Sequence, residues 1–194
     1  MVYAFIINTI LPGIPRLLYY DIFGQDGVAD DSLDITADVL TSIRKSQIQQ
    51  VFERVHSEYQ FRRSFSGRSV EDDVLKLIND DTLPEFDTGF FRLRAGEVFQ
   101  KDRYVIWLAA GYTAFSFVCE KYENRLVAES ILKHLIRYLQ EHVRVLTQPS
   151  ETGLRSERVG VVVNTFLPQG NLLFLNNRLI RQLEKEVDNQ IKAS

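Results

Sequence analysis

The sequence predicts an α+β domain, a five-stranded antiparallel sheet sandwiched between helices, one on one face and two or three on the other. Three observations carry that expectation. The stretch from Arg103 to Glu120 is rich in Val, Ile, Trp, Tyr, Phe and Thr, and the small residues Ala109, Ala110 and Gly111 interrupt it. That composition suits two strands joined by a tight bend better than one helix. Its apolar density on both sides of the bend requires cover on both faces of the sheet. The remaining segments then fall in the order β-β-α-short α-β before this central two-stranded hairpin, with α-α-α after it, which places helical layers against a sheet.

Taken in order, Val2 to Ile10 reads as a buried strand and Arg16 to Phe23 as a second, with Pro12, Gly13 and Pro15 turning the chain between them. Gly24 to Asp38 is acidic and reads as a solvated loop, because Asp30, Asp31 and Asp34 miss the alternating ligand spacing of a calcium loop. From about Ser42 to Arg63, Ile48, Val51, Phe52, Val55 and Tyr59 recur at helical steps. Arg62, Arg63 and Arg68 interleave with Phe61 and Phe65 at its end, where basic residues complement the helix dipole. Ser69 caps a short helix through Val74, Leu75 and Ile78, and Asn79 to Thr88 reads as a second acidic loop.

Phe90 to Arg94 alternates, with Phe91 and Leu93 inward and Arg92 and Arg94 outward. After the hairpin, Asn124 caps a long helix whose inner face is Ala128, Ile131, Leu132, Leu135, Ile136, Leu139 and Val143. A helix over Ser156 to Phe166 ends before Pro168, and Leu172 to Leu175 is a short apolar segment. A last helix from about Asn177 carries Leu179, Ile180, Leu183, Val187 and Ile191 along one stripe. Trp107, Phe117 and Leu135 are the expected heart of the core.

A chain of 194 residues, 45% hydrophobic and 25% charged, is expected to form one domain, residues 1–194. Its net charge of −3 supplies no global field for nucleic acid, so no nucleic-acid binding is expected. The apolar opening lacks a basic leader and a cleavage site, and the central hairpin is short of the ~20 residues a spanning helix needs. A cytosolic protein is the expectation. Nucleophile elbows, phosphate loops and zinc-binding patterns are absent from the sequence. His134 and His142 stand too far apart on one helix to share a metal, and Cys119 reads as a core thiol. No catalytic residue, metal or cofactor is expected.

The element order is similar to that of longin-type (SNARE-like) domains. The opening MVYAFIINTI, the segment RLLYYDIFG, the hairpin's VIWL and the closing FLPQGNLLFLNNRLIRQLEKEV also resemble the small (sigma) subunit family of adaptor-related protein complex 5. The similarity runs end to end, with the acidic loops least alike and the closing string the most specific part. The resemblance implies a longin-like subunit in a heterotetramer with two large chains and a medium chain. It further implies work with spatacsin and spastizin, peripheral association with late endosome and lysosome membranes without clathrin, and the sorting or retrieval of membrane cargo.

By the same resemblance, Arg16 matches an arginine with which clathrin-associated sigma subunits hold the acidic residue of a dileucine cargo signal. Ile136 falls where those subunits line a leucine pocket. The basic strand of those subunits, typically Tyr-Arg-Arg-Tyr-Ala, is here Val105-Ile106-Trp107-Leu108-Ala109. That departure implies weak or absent cargo recognition through Arg16. The alternatives are a free-standing longin-type trafficking regulator and a small enzyme of unrecognised class.

Overall fold

The computed structural model describes residues 1–26, 36–67, 70–80, 83–173 and 176–193. Five strands, β1 (Val2–Thr9), β2 (Leu17–Ile22), β3 (Asp87–Leu93), β4 (Arg103–Ala110) and β5 (Thr113–Glu120), form one sheet in the order β2-β1-β5-β4-β3. Every neighbouring pair is antiparallel. The helices are α1 (Ala37–Ser66), α2 (Val70–Asp80), α3 (Arg125–Val143), α4 (Pro149–Leu154), α5 (Ser156–Phe166) and α6 (Asn177–Ala193). This is an α+β, longin-like arrangement.

All eight residues of β4 are buried, as are the first seven of β1 and of β5. Such strands show no alternation because each successive side chain enters one of two cores. On one face Ile48, Val51, Phe52, Val55 and Tyr59 of α1 pack against Ile6, Val105, Trp107 and Val118. On the other, Leu132, Leu135, Ile136 and Leu139 of α3 meet Phe5, Ile106, Leu108, Phe115 and Phe117, with α5 packed against α3 and contributing to the same core, and α6 against α5. Trp107, Phe117 and Leu135 each have 0% exposure.

Trp107 is the bulkiest of the fully buried side chains, and the register explains how it fits. Its neighbour on β3 is Gly89 and its neighbour on β5 is Ser116, so both flanking positions are small. A Cβ at Gly89 would lie 2.1 Å from the indole Cε2. The indole Nε1–H donates to Glu58 Oε2 at 3.1 Å, and Tyr59 meets the ring edge-on. α1 is thereby set against the sheet by shape and by a hydrogen bond together.

Helix ends follow their local chemistry. Asn124 Oδ1 accepts from the Leu126 and Val127 amides at 3.0 and 3.2 Å, and Asn176 caps α6 in the same way. Gly67, with φ +64°, closes α1 in the left-handed region. The β4–β5 turn needs Gly111 at φ +57°, where a Cβ would meet the Leu146 carbonyl oxygen at 2.7 Å.

Several segments differ from the sequence expectation. α1 begins at Ala37, so the acidic stretch from Gly24 is not all loop; Asp26 within it is buried, while residues 27–35 lie outside those described. Asp30, Asp31 and Asp34 fall in that segment, and Arg68 and Ser69 also lie outside the described residues. Asn79 and Asp80 finish α2, and Asp87 and Thr88 open β3, which shortens the second acidic loop. The six-residue α4 has no apolar period long enough to be read. Leu172 and Leu173 pack on the core, and residues 174–175 of that segment are outside those described.

The packing predicts that Gly89→Ala destabilises the protein by roughly 1–3 kcal/mol through overpacking against the indole. In a thermal or denaturant melt, Trp107→Phe should cost less in the Gly89→Ala background than alone, since the two share one space. Additive effects, or a Gly89→Ala melt like that of the parent, would show that this contact does not constrain the sheet.

Candidate interaction surfaces

With both sheet faces covered, the sequence-derived site residues occupy very different surroundings. Arg16 is exposed just before β2, its amide donating to Thr9 Oγ1 at 2.9 Å and its carbonyl accepting from the Thr9 amide at 2.9 Å. Among the described residues its guanidinium has no ionic partner. Ile136 is 0% exposed within the α3 core. The structure therefore presents the cation, and gives Ile136 no open surface in this conformation.

The surroundings of Arg16 carry a feature that the periodicity did not disclose. At this end of the sheet lie the β1–β2 loop, the β4–β5 turn, the start of β3 and the second half of α1. His56 Nε2 lies 2.9 Å from the Leu11 carbonyl oxygen, and Gln60 Nε2–H donates to the Ile10 carbonyl at 2.6 Å. Val74 of α2 approaches Gly111 in the β4–β5 turn. Exposed apolar side chains gather on these segments: Leu11 and Ile14 in the loop, Phe61 and Phe65 on α1, Leu75 and Ile78 on α2. Ile14 is 91% exposed, and the Phe61 and Phe65 rings pair edge-to-face with centroids 5.1 Å apart. Exposed apolar side chains of this kind are the chemistry from which protein–protein contacts are built.

Arg63 holds this end together. Its guanidinium donates to Asp73 Oδ2 of α2 at 2.7 Å and to Asp87 Oδ2 of β3 at 2.8 Å, with 9% of the side chain exposed. The residue therefore does not sit free in the last helical turn as a dipole complement; two carboxylates from other elements converge on it. Arg62 has its guanidinium 5.3 Å from the Trp107 ring centroid and also donates to the Thr88 carbonyl. The opposite end is locked by Asp26, which accepts from Gln47 Nε2 at 3.0 Å and the Gln100 amide at 2.9 Å, and pairs with Arg103 at 3.2 Å. Arg103 in turn lies 4.0 Å from the Tyr3 ring centroid.

Burial pushes the Cys119 thiol up to about 12, so the buried side chain is a neutral core group. Burial, then Arg137, lowers the pKa of His134, while His142 Nε2 stands 3.6 Å from Asp188 on α6. Among the described residues no group of three or more His, Cys, Asp or Glu is placed to hold a metal ion. Nor is any described helix long and apolar enough to cross a membrane.

The sequence profile of a family described as AP-5 complex subunit sigma-1 matches residues 1–188. The chain belongs to that family. Its relatives include the human protein named AP-5 complex subunit sigma-1, 36% identical over 194 residues and covering 96% of both chains. The mouse protein of the same name is 34% identical over 160 residues, 79% of this chain and 94% of its own.

For Arg16, an exposed ion pair contributes about 0–1 kcal/mol, against about 8 kcal/mol for a 1 μM complex. With Ile136 enclosed, titration of an acidic dileucine peptide against the assembled complex should show no micromolar binding that depends on Arg16. Micromolar binding abolished by Arg16→Ala would instead make Arg16 a cargo residue.

Proposed function

We propose that this chain is a non-enzymatic small subunit of a heterotetrameric adaptor complex, docking two large chains and a medium chain. Its task is assembly, and through it the sorting or retrieval of membrane cargo between late endosomes and lysosomes. Spatacsin and spastizin are the further partners, and the complex brings the chain to the cytoplasmic face of those membranes. The family match over residues 1–188 carries this reading. The names of the human and mouse relatives, each a subunit of a complex, support it.

The geometry is consistent with that role. A chain that works alone gains nothing from exposed Ile14, Phe61 and Phe65, which cost solubility; a subunit uses such side chains as the centre of an interface. Burying an aromatic of this size on a partner contributes up to roughly 3 kcal/mol, enough for two to decide whether a complex persists.

Co-expressed with a large adaptor chain, the parent protein should co-purify with it in stable stoichiometry. Phe61→Asp/Phe65→Asp should be lost from the complex while keeping the far-ultraviolet circular dichroism of the parent, since both side chains already face water. Retention of the double variant in the complex would move the interface elsewhere. Failure of the parent to bind any large adaptor chain would contradict the subunit role itself.

A further inference from the structure

The sheet end opposite the apolar one carries a second surface of different chemistry. A cleft of about 860 Å³ is lined there by Arg54, Arg92, Arg94, Arg103 and Lys121, with Glu97, Asp102, Tyr104 and Tyr122 among the other lining residues. A chain whose net charge is −3 thus gathers five cations against two carboxylates in one place. Both carboxylates are already engaged. Glu97 Oε2 accepts from the Arg94 amide at 3.1 Å, and Asp102 accepts from the Ala95 amide at 2.9 Å and pairs with Lys121 at 3.1 Å.

The cations divide into used and available. Arg103 is committed to Asp26 and Lys121 to Asp102. Arg54 lies 4.3 Å from the Phe91 ring centroid and reaches Glu58 only at 4.0 Å. Arg92 and Arg94 are exposed, and among the described residues neither forms a salt bridge, although Arg92 acts through space on the charge of Asp102.

Their spacing defines what fits. Arg92 lies in the last residues of β3 and Arg94 just past its final residue, Leu93, and both line the same cleft. They do not converge on a point, and two carboxylates stand in the same lining, which disfavours a compact polyanion such as a phosphate group. β3 is also the outer strand of the described sheet; the Thr88 carbonyl is taken there by Arg62 and the Arg94 amide by Glu97, which leaves the stretch between them without a ladder partner among the described residues. A short extended segment laid along residues 90–92 places alternate side chains on the face of Arg92, with Arg94 in the same cleft just beyond.

We infer that this end of the protein binds an extended acidic segment of a partner protein, paired along the β3 edge at residues 90–92, with its carboxylates facing Arg92 and Arg94. Tyr122, 90% exposed beside Lys121, offers an aromatic face for an apolar side chain of the same segment. The surface is independent of the apolar end and of Arg16.

The test is fluorescence anisotropy of the full chain with a labelled peptide in which Glu alternates with Val. A second peptide of the same composition has its Glu residues in one block. The alternating peptide should bind more tightly, and its affinity should fall as salt is raised. Arg92→Glu/Arg94→Glu should weaken it by about tenfold or more, Arg92→Gln/Arg94→Gln by less, and Arg16→Ala not at all. Both paired variants replace exposed side chains, and circular dichroism checks their fold. Equal binding of the two peptides, or an affinity unchanged by charge reversal, would overturn the inference. Displacement of the peptide by millimolar inorganic phosphate, or tighter binding to phosphatidylserine vesicles lost in the same variant, would overturn it in favour of a phosphate or membrane site.

Discussion

Burial of the central strands on both faces is the constraint on which the rest of the structure depends. β4 has no exposed residue, so each of its side chains needs a helix on its own side of the sheet. Among the described residues α1 supplies one layer, and α3 with α5 and α6 the other. Trp107 shows how closely the α1 layer is fitted, because its indole occupies the space that a side chain at Gly89 would need. The functional consequence follows from the architecture. The central strands β1, β4 and β5 offer neither face to a partner, so binding surface is left at the strand ends, on the outer strands and on the outward faces of the helices.

The two ends are held by different ion pairs and offer different chemistry. Arg63 draws α2 and β3 onto α1 through Asp73 and Asp87, at the end where exposed apolar side chains gather. Asp26 and Arg103 tie the segment after β2 to the start of β4, beside the cationic cleft. Buried pairs of this kind contribute little net stability against two well-packed apolar residues, but removing one partner strands the other. Their effect is to fix where loops and helix ends lie, which is what an interface requires.

Much of this fold was legible in the sequence because its signals were local. The bend in the central hairpin, the Asn124 cap and the inner face of α3 each follow from residues within a few positions of one another. The Ser156–Phe166 helix has the bounds that its period and the following Pro168 imply. What the sequence concealed depends on residues far apart in the chain. Asp26 lies in an acidic stretch that reads as solvated, and only the fold brings Arg103 and Gln47 to it. Arg63 shows the same failing, since a basic residue in a last helical turn has an adequate local explanation until Asp73 and Asp87 arrive. The apolar end escaped notice because Ile14, Phe61 and Ile78 belong to three elements that no single period connects.

The central claim is that this chain acts by docking through the end of the sheet that bears Leu11, Ile14, Phe61 and Phe65. Amide hydrogen exchange of the chain, free and bound to a large adaptor subunit, tests it most directly. The account predicts slowed exchange on assembly in the β1–β2 loop, the second half of α1 and α2, with the buried strands already protected in both states. Protection confined to the outer helices α5 and α6, with the apolar end exchanging as in the free chain, would contradict it.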